Sequence, residues 1–422
     1  MGSAPIGDLA WLARDLDERA FHAPSPLLGS TRIGAEVELL PIDLATHHIA
    51  TVDADAPVST LRVLRDHGTP LLWEEEVSSH GVSTFQLPDF GTITFEPGGQ
   101  IEYSAPPCAS ASELLRRLRA VVLPLSTAAR DSGIEMLAAG IDPYNRVEDA
   151  PLQLFTERYC QMADYFDRLG SSGARMMRQT GAMQVSLDLG ERPLPRWRVL
   201  NAAAPYVSAI FANAPIYAGL PSRYASHRAH IWRTIDASRT GLPFGDGAPV
   251  ASYLEFALCA PDLLRRTPDG EYLPFVGWIA RGAATVQQWR AHLTTLFPEI
   301  RPRGYFEVRS ADAVPPDCYA APLALLSGIT YDARALAEAD ELLGDPDLAT
   351  LQLAAERGLQ DPAIASRSVD LAEIALRGCA RLGERFFHPA DLAEARAFFD
   401  RYTRHGRTPA DDLFLALHPL AR

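Results

Sequence analysis

The sequence predicts an α+β fold: a curved antiparallel sheet with one acidic face, helices over its other face, and a helical layer at the C-terminal end. Three observations carry this. Four segments alternate polar and apolar residues with period two, the mark of strands with two unlike faces. Long segments between them place apolar residues at helical spacing. After Asp312 the chain shifts to Ala- and Leu-rich stretches of helix length joined by short Gly, Asp and Pro turns.

The central segment is GTITFEPGGQIEYSAPP, residues 91–107. Its even positions hold Thr92, Thr94, Glu96, Gln100, Glu102 and Ser104; its odd positions hold Ile93, Phe95, Ile101 and Tyr103. Pro97-Gly98-Gly99 interrupts the pattern as a bulge or tight bend, so Glu96 and Glu102 leave one face of a bent strand. Residues 31–39 set Arg32, Gly34, Glu36 and Glu38 against Ile33, Ala35, Val37 and Leu39. Residues 183–189 set Gln184, Ser186 and Asp188 against Met183, Val185, Leu187 and Leu189, and in 305–310 Glu307 and Arg309 oppose Phe306 and Val308. Any one such strand fits an antiparallel sheet with a face in water. As a set they fit it less well, because a solvated face usually mixes cations with anions, and here only Arg32 and Arg309 stand among the acids. Carboxylates gathered this densely repel one another unless a cation joins them, and a hard divalent ion such as Mg²⁺ takes oxygen ligands.

In chain order, residues 8–21 read as an amphipathic helix and 31–43 as the first strand. A Ser-capped helix spans 59–67, and hairpin-like segments at 71–77 and 83–87 lead into the central strand. The acidic run Glu74-Glu75-Glu76 reads as a solvated turn. A helix covers 110–132, kinked or divided at Pro124, and 136–143 is a short strand ending in a turn. A helix at 155–169 is followed by a loop at 171–173 and by the third acidic strand over roughly 176–189. Helices are expected at 196–211, at 250–260 and at 285–298, with 212–232 a loop and then a helix, 271–278 extended and 236–247 a glycine-rich loop. Arg223, Arg228, His230 and Arg233 read in the first instance as a solvated basic face. Residues 317–420 hold four or five helices, the last starting with Thr408 as N-cap and Pro409 at its first position.

The 422 residues, with 47% hydrophobic content, suit a globular chain of one large domain or two ordinary ones. A net charge of −14 and a pI of about 5.3 disfavour nucleic-acid binding. No apolar run approaches the roughly 20 residues of a membrane span. The N-terminus carries Asp8, Asp15, Asp17 and Glu18 without a basic stretch, so a cytoplasmic protein with no secretory signal is expected. The five cysteines form no CxxC pair and read as buried reduced thiols. There is no lysine; all 39 basic residues are arginine. That excludes a P-loop, a protein-kinase site and Schiff-base chemistry, each of which needs a lysine amine. Phosphate, if handled, must be met by arginine, metal and backbone N–H groups.

Several stretches together resemble the plant and proteobacterial type of glutamate–cysteine ligase, with the actinobacterial enzyme of ergothioneine synthesis close to it. They are GAEVE at 34–38, EPGGQIEYSAPP at 96–107, MQVSLD at 183–188, SHRAHIW at 226–232, SRTGLPF at 238–244, HLTTLFPEIRPRGYFEVRSAD at 292–312 and TPADDLF at 408–414. The resemblance runs from about residue 31 to the C-terminus. It implies a single catalytic domain over 1–422, with 1–30 as an N-terminal extension and 317–422 as its helical part, built on a glutamine-synthetase-like sheet that forms a funnel. It implies an ATP-dependent reaction in which the γ-carboxylate of glutamate takes the γ-phosphoryl group and the amine of cysteine then displaces phosphate. Metal, Mg²⁺ with Mn²⁺ as the alternative, would be held by Glu36, Glu38, Glu96, Glu102 and Glu307. Gln184 occupies a metal- or substrate-ligand position, Arg309 with Glu307 a catalytic one, and Arg228 is assigned to the glutamate α-carboxylate. Small-molecule substrates, no nucleic acid, no membrane, and a monomer or homodimer complete the expectation. Loops 71–90 and 236–247 are expected to wall the amine site. Two other readings stay open: the same chemistry with another amine, and a non-catalytic metal-binding protein, against which the Glu307–Arg309 pairing argues.

Overall fold

The computed structural model describes residues 6, 8–22, 31–244 and 248–417. Its strands are β1 (Ile33–Asp43), β2 (Glu74–Val77), β3 (Ser83–Gln86), β4 (Thr92–Phe95), β5 (Ile101–Ser104), β6 (Ile134–Leu137), β7 (Ala182–Leu187), β8 (Ile216–Tyr217), β9 (Leu220–Pro221), β10 (Thr240–Gly241), β11 (Phe297–Pro298), β12 (Ile300–Pro302) and β13 (Phe306–Asp312). Nine form one sheet in the order β12-β13-β7-β1-β5-β4-β3-β2, with β6 on the far half of β1. Every pairing in it is antiparallel. The expected large antiparallel sheet with many helices is therefore present.

The apolar face of each strand is the core, as the alternation predicts: odd positions in β1, β4, β5 and β7, and Phe306 and Val308 in β13. Ile33, Ala35, Val37, Ile93, Ile101, Tyr103, Met183, Val185 and Leu187 are all buried. They belong to the same apolar cluster as Leu114, Leu115, Leu118 and Val122 of the helix Ala111–Asp131, as the helix Pro193–Ile210, buried throughout from Val199 onward, and as the almost wholly buried helix Ala320–Tyr331. Fully buried apolar side chains of this size each contribute about 1.5–3 kcal/mol, so the sheet's side preference is strongly fixed.

Several local expectations change. The central segment is not one bent strand but the hairpin β4–β5, with Thr94 opposite Glu102. Residues 171–179 form a helix, not a loop and strand, because Gly173, Ala174, Met176 and Met177 bury one helical face. Pro124 does not divide its helix; it lies on the exposed side, where the carbonyl it leaves unpaired can meet water. Residues Phe275–Ala280 are helical rather than extended, and Pro298 lies in β11, paired in parallel with β10, rather than ending a helix. Glu74–Glu76 form the edge strand β2, where Glu75 pairs with Arg65. Six helices, not four or five, follow Asp312 among the described residues. Residues 245–247 and 418–420 of the expected loop and last helical segment lie outside the described residues. Cys160 and Cys259 are exposed, while Cys108, Cys318 and Cys379 are buried, and all five are free. No helix among the described residues is long and apolar enough to cross a membrane.

Candidate active site

The turn 96–100 shows how the sequence builds the site. Glu96 N–H donates to the Gln100 carbonyl at 2.8 Å, and Gly99 N–H to the Glu96 carbonyl at 2.8 Å. Gly99 sits at φ +91°, and a Cβ there would lie 2.5 Å from Gln153 Nε2. A Cβ on Gly98 would lie 2.3 Å from the Arg178 carbonyl oxygen. The turn is pressed between Gln153 and the helix Ser171–Gln179, which is why two glycines follow Pro97. Gln100 ties it down by donating to the Thr180 carbonyl at 3.1 Å.

Register brings the acids together. Glu38 stands opposite Glu102 across β1 and β5, and Glu36 stands opposite Gln184 across β1 and β7. Glu38 accepts from Ala182 N–H at 2.9 Å and from Gln184 Nε2 at 3.1 Å. The Gln184 amide oxygen in turn accepts from Arg309. Arg309 falls where β13 gains a residue against β7, between Val308 and Ala311. Its N–H leaves that ladder for the Glu299 carbonyl, at 2.9 Å. Bulges of this kind re-aim a side chain. Glu307 accepts from Arg309 at 2.9 Å, from Arg301 at 2.6 Å and from Arg303 at 3.0 Å. One network thus runs from Glu38 through Gln184 and Arg309 to Glu307.

These groups border a cavity of about 330 Å³. Its acidic wall is Glu36, Glu38, Glu96 and Glu102; its basic wall is Arg158, Arg301, Arg303 and Arg309. Arg158 is steadied by the Thr294 carbonyl at 3.0 Å. Tyr159, Met162, Met176, Met177, Trp232 and Phe297 supply an apolar wall.

Burial, first of all, raises the pKa of all four acids; Glu38 adds to it at Glu96, which reaches about 7, and Glu36 adds to it at Glu102. For Glu307 burial acts in the same direction but is outweighed by Arg301 and Arg309, which hold it well below the usual carboxylate range. Among the described residues no three His, Cys, Asp or Glu side chains are disposed to hold a metal ion by themselves. Yet the side-chain carboxylates of Glu36 and Glu96 accept no hydrogen bond among the described residues. Hard, mutually repelling, unpartnered oxygens fit Mg²⁺, which is commonly held by one or two carboxylates together with substrate phosphates.

A stability test follows. Folded Glu96 keeps its proton up to about pH 7, whereas unfolded Glu releases it near 4.5, so its contribution to stability falls as pH rises through that window. A cation that pairs the ionised form removes this loss. His227 and His292, held by burial at about 4, act oppositely, because their contribution rises with pH from about 4 to 6.5. The quantity to read is therefore the melting-temperature difference with and without Mg²⁺. It is expected to be at least about 2 °C larger near pH 8 than near pH 5.5; a difference independent of pH would count against these acids as cation ligands.

Of the residues read from sequence, Glu36, Glu38, Glu96, Glu102, Gln184 and Arg309 share this cavity. Glu307 does not line it. Fully buried, with both oxygens turned to guanidinium groups, it is the anion that assembles three arginines rather than a free metal ligand. Arg228 is also not on the cavity wall. It is 3% exposed, lies over the Trp232 ring, faces Asp312 at 3.7 Å and donates to the Arg309 carbonyl at 2.9 Å. Arg228 is thus buried and Arg233, half-buried, pairs with Glu299, so these two do not form a solvated basic face, while Arg223 is exposed. The described parts of loops 71–90 and 236–247 do not line the cavity either. Sequence reasoning missed Arg158, Arg301, Arg303 and the apolar wall.

An acid- and arginine-lined cavity on a large antiparallel sheet is a site that can meet anionic groups with its arginines and cations with its carboxylates. The chain belongs to glutamate–cysteine ligase family 2 (GCS2), whose model matches residues 32–417, and it is a ligase. It is 33% identical to glutamate–cysteine ligase EgtA of Mycolicibacterium smegmatis over 359 residues, covering 80% of this chain and 81% of that one. To the chloroplastic glutamate–cysteine ligase of Arabidopsis thaliana it is 30% identical, over 76% of this chain and 65% of the plant protein. The fold is also similar to a crystal structure of glutamate–cysteine ligase (gshA) from Francisella tularensis in complex with AMP. There the TM-score is 0.50 at 13% identity, over 91% of this chain and 84% of that one.

Proposed function

We propose that this ligase uses ATP to convert the γ-carboxylate of glutamate into γ-glutamyl phosphate and passes the acyl group to the amine of cysteine. A γ-carboxylate oxygen bonds to the γ-phosphorus as the bond to ADP breaks. The amine nitrogen then bonds to the acyl carbon, phosphate leaves, and the amine gives up a proton. The products are γ-glutamylcysteine, ADP and phosphate. The observation that carries this reading is the single cavity in which four carboxylates face four arginines, in a chain of this family.

Glu36, Glu38, Glu96 and Glu102 would hold Mg²⁺, which when bound offsets phosphate charge. Arg309, its guanidinium fixed by Gln184 and Glu307, is aimed at the transferring phosphoryl group. Arg158, Arg301 and Arg303 bind the remaining anionic oxygens. Arg228 is a positioning residue, acting through Trp232 and the Arg309 backbone. The apolar wall of Met162, Met176 and Met177 suits a small uncharged acceptor side chain.

The test is ADP release with ATP, glutamate and a panel of amines, with product masses checked. Cysteine is expected to be the best acceptor. 2-Aminobutyrate, which replaces the thiol by a methyl group, should be used within a few hundredfold in kcat/KM, since an apolar pocket discriminates such changes by only about 1–3 kcal/mol. Cysteine ranking below a bulky amine would transfer the same acyl-phosphate chemistry to another acceptor. No glutamate-dependent ADP release with any amine would refute the reading.

A further inference from the structure

A second cavity, about 420 Å³, adjoins the first and shares Arg158, Thr294, Arg301 and Arg303 with it. Its outer wall includes Asp15, Leu16, Arg19 and Ala20, from a segment that precedes the family match at residue 32. This segment is firmly docked. Phe21 packs edge-on against Trp197, Tyr253 and Phe306; Gly304 N–H donates to the Ala20 carbonyl at 3.1 Å; and Asp15 pairs with Arg290 at 2.8 Å. Between Asp17 and Phe21 the helix widens into a π-turn, a feature frequent at functional sites.

We infer that the N-terminal segment 8–21 completes the nucleoside pocket of this enzyme: the second cavity takes the base and ribose of ATP, and the shared arginines pass its phosphates through to the carboxylates. This rests on the ATP-dependent reading above. Three observations support it. The shared neck is cationic, as a polyphosphate requires. Beyond it, Leu16, Leu293 and Tyr253 offer an apolar and aromatic surface for a base. Asp15, 7% exposed, has one oxygen on Arg290 while Oδ2 is buried with no hydrogen-bond partner, an acceptor free for a ribose hydroxyl or a base amino group.

The experiment measures binding of ATP, ADP and inorganic tripolyphosphate to the full chain with Mg²⁺, alongside the KM for glutamate. Leu293→Trp, which fills the nucleoside space, should weaken ATP and ADP at least about tenfold while tripolyphosphate changes less than about twofold. Arg19→Glu, at an exposed position that folding tolerates, should weaken all three at low salt by about tenfold. The glutamate KM should change little in either. Unchanged nucleotide affinity in both variants, or loss of glutamate instead of nucleotide, overturns this placement. Wild-type protein that binds no nucleotide overturns the ATP reading itself.

Discussion

Glu36→Gln and Glu38→Gln are each expected to lower kcat at least about a hundredfold, because each removes a charged oxygen from the wall that meets phosphate-bound metal. Their effects on folding should differ, and the difference is diagnostic. The Glu36 carboxylate accepts no hydrogen bond among the described residues, and burial followed by Glu307 makes its charge costly. The isosteric amide removes that charge, so the melting temperature should hold or rise. Glu38 accepts from Ala182 N–H and from Gln184 Nε2. An amide there sets its own NH₂ against one of these donors and should cost about 1 kcal/mol. Steady-state kinetics at saturating Mg²⁺ with thermal melts checks both. Near-wild-type turnover in both variants would defeat the role of the carboxylate wall.

Much of this wall was legible because strand alternation is a local property. Even positions in 33–39 and 92–104 place Glu36, Glu38, Glu96 and Glu102 on one side without knowledge of the fold. What alternation cannot decide is whether Pro97-Gly98-Gly99 bulges or reverses. The reversal is favoured by Gln153 and Arg178, which press on the turn from elsewhere in the chain. Arg301 and Arg303 were within reach: they share odd numbering with Glu307 and Arg309, and the turn between β12 and β13 keeps that parity, setting Arg301 opposite Glu307. Seen that way, the sheet face has the cations that a count ending at Arg309 leaves out. Arg158 and the methionine wall carried no such signal. They lie on helices whose spacing reports an apolar face but not what it faces. Arg228 misled for a related reason: a motif places a residue near a site, while only packing distinguishes a group on the wall from one behind it.

Arg309 is where the largest catalytic loss with the smallest binding loss is expected. Arg309→Lys should lower kcat and kcat/KM together by about a hundred- to a thousandfold, the size seen when one aimed donor to a developing charge is removed. Lysine keeps the charge but not the planar fork, so it cannot serve Gln184, Glu307 and a phosphoryl oxygen at once. The KM values for ATP and glutamate should move less than about threefold, since Arg158, Arg301 and Arg303 remain on the wall. Stability should suffer little, because Glu307 keeps Arg301 and Arg303 as partners and Arg309 is itself a cation that burial, followed by Arg301, makes unfavourable. Full kinetics with a thermal melt separates the outcomes. A rise in the KM for ATP with kcat preserved would make Arg309 a ground-state nucleotide ligand. A collapse in melting temperature with proportionate loss of activity would make it structural. Only the joint fall of kcat and kcat/KM in a stable protein matches an arginine poised on the transferring phosphoryl group.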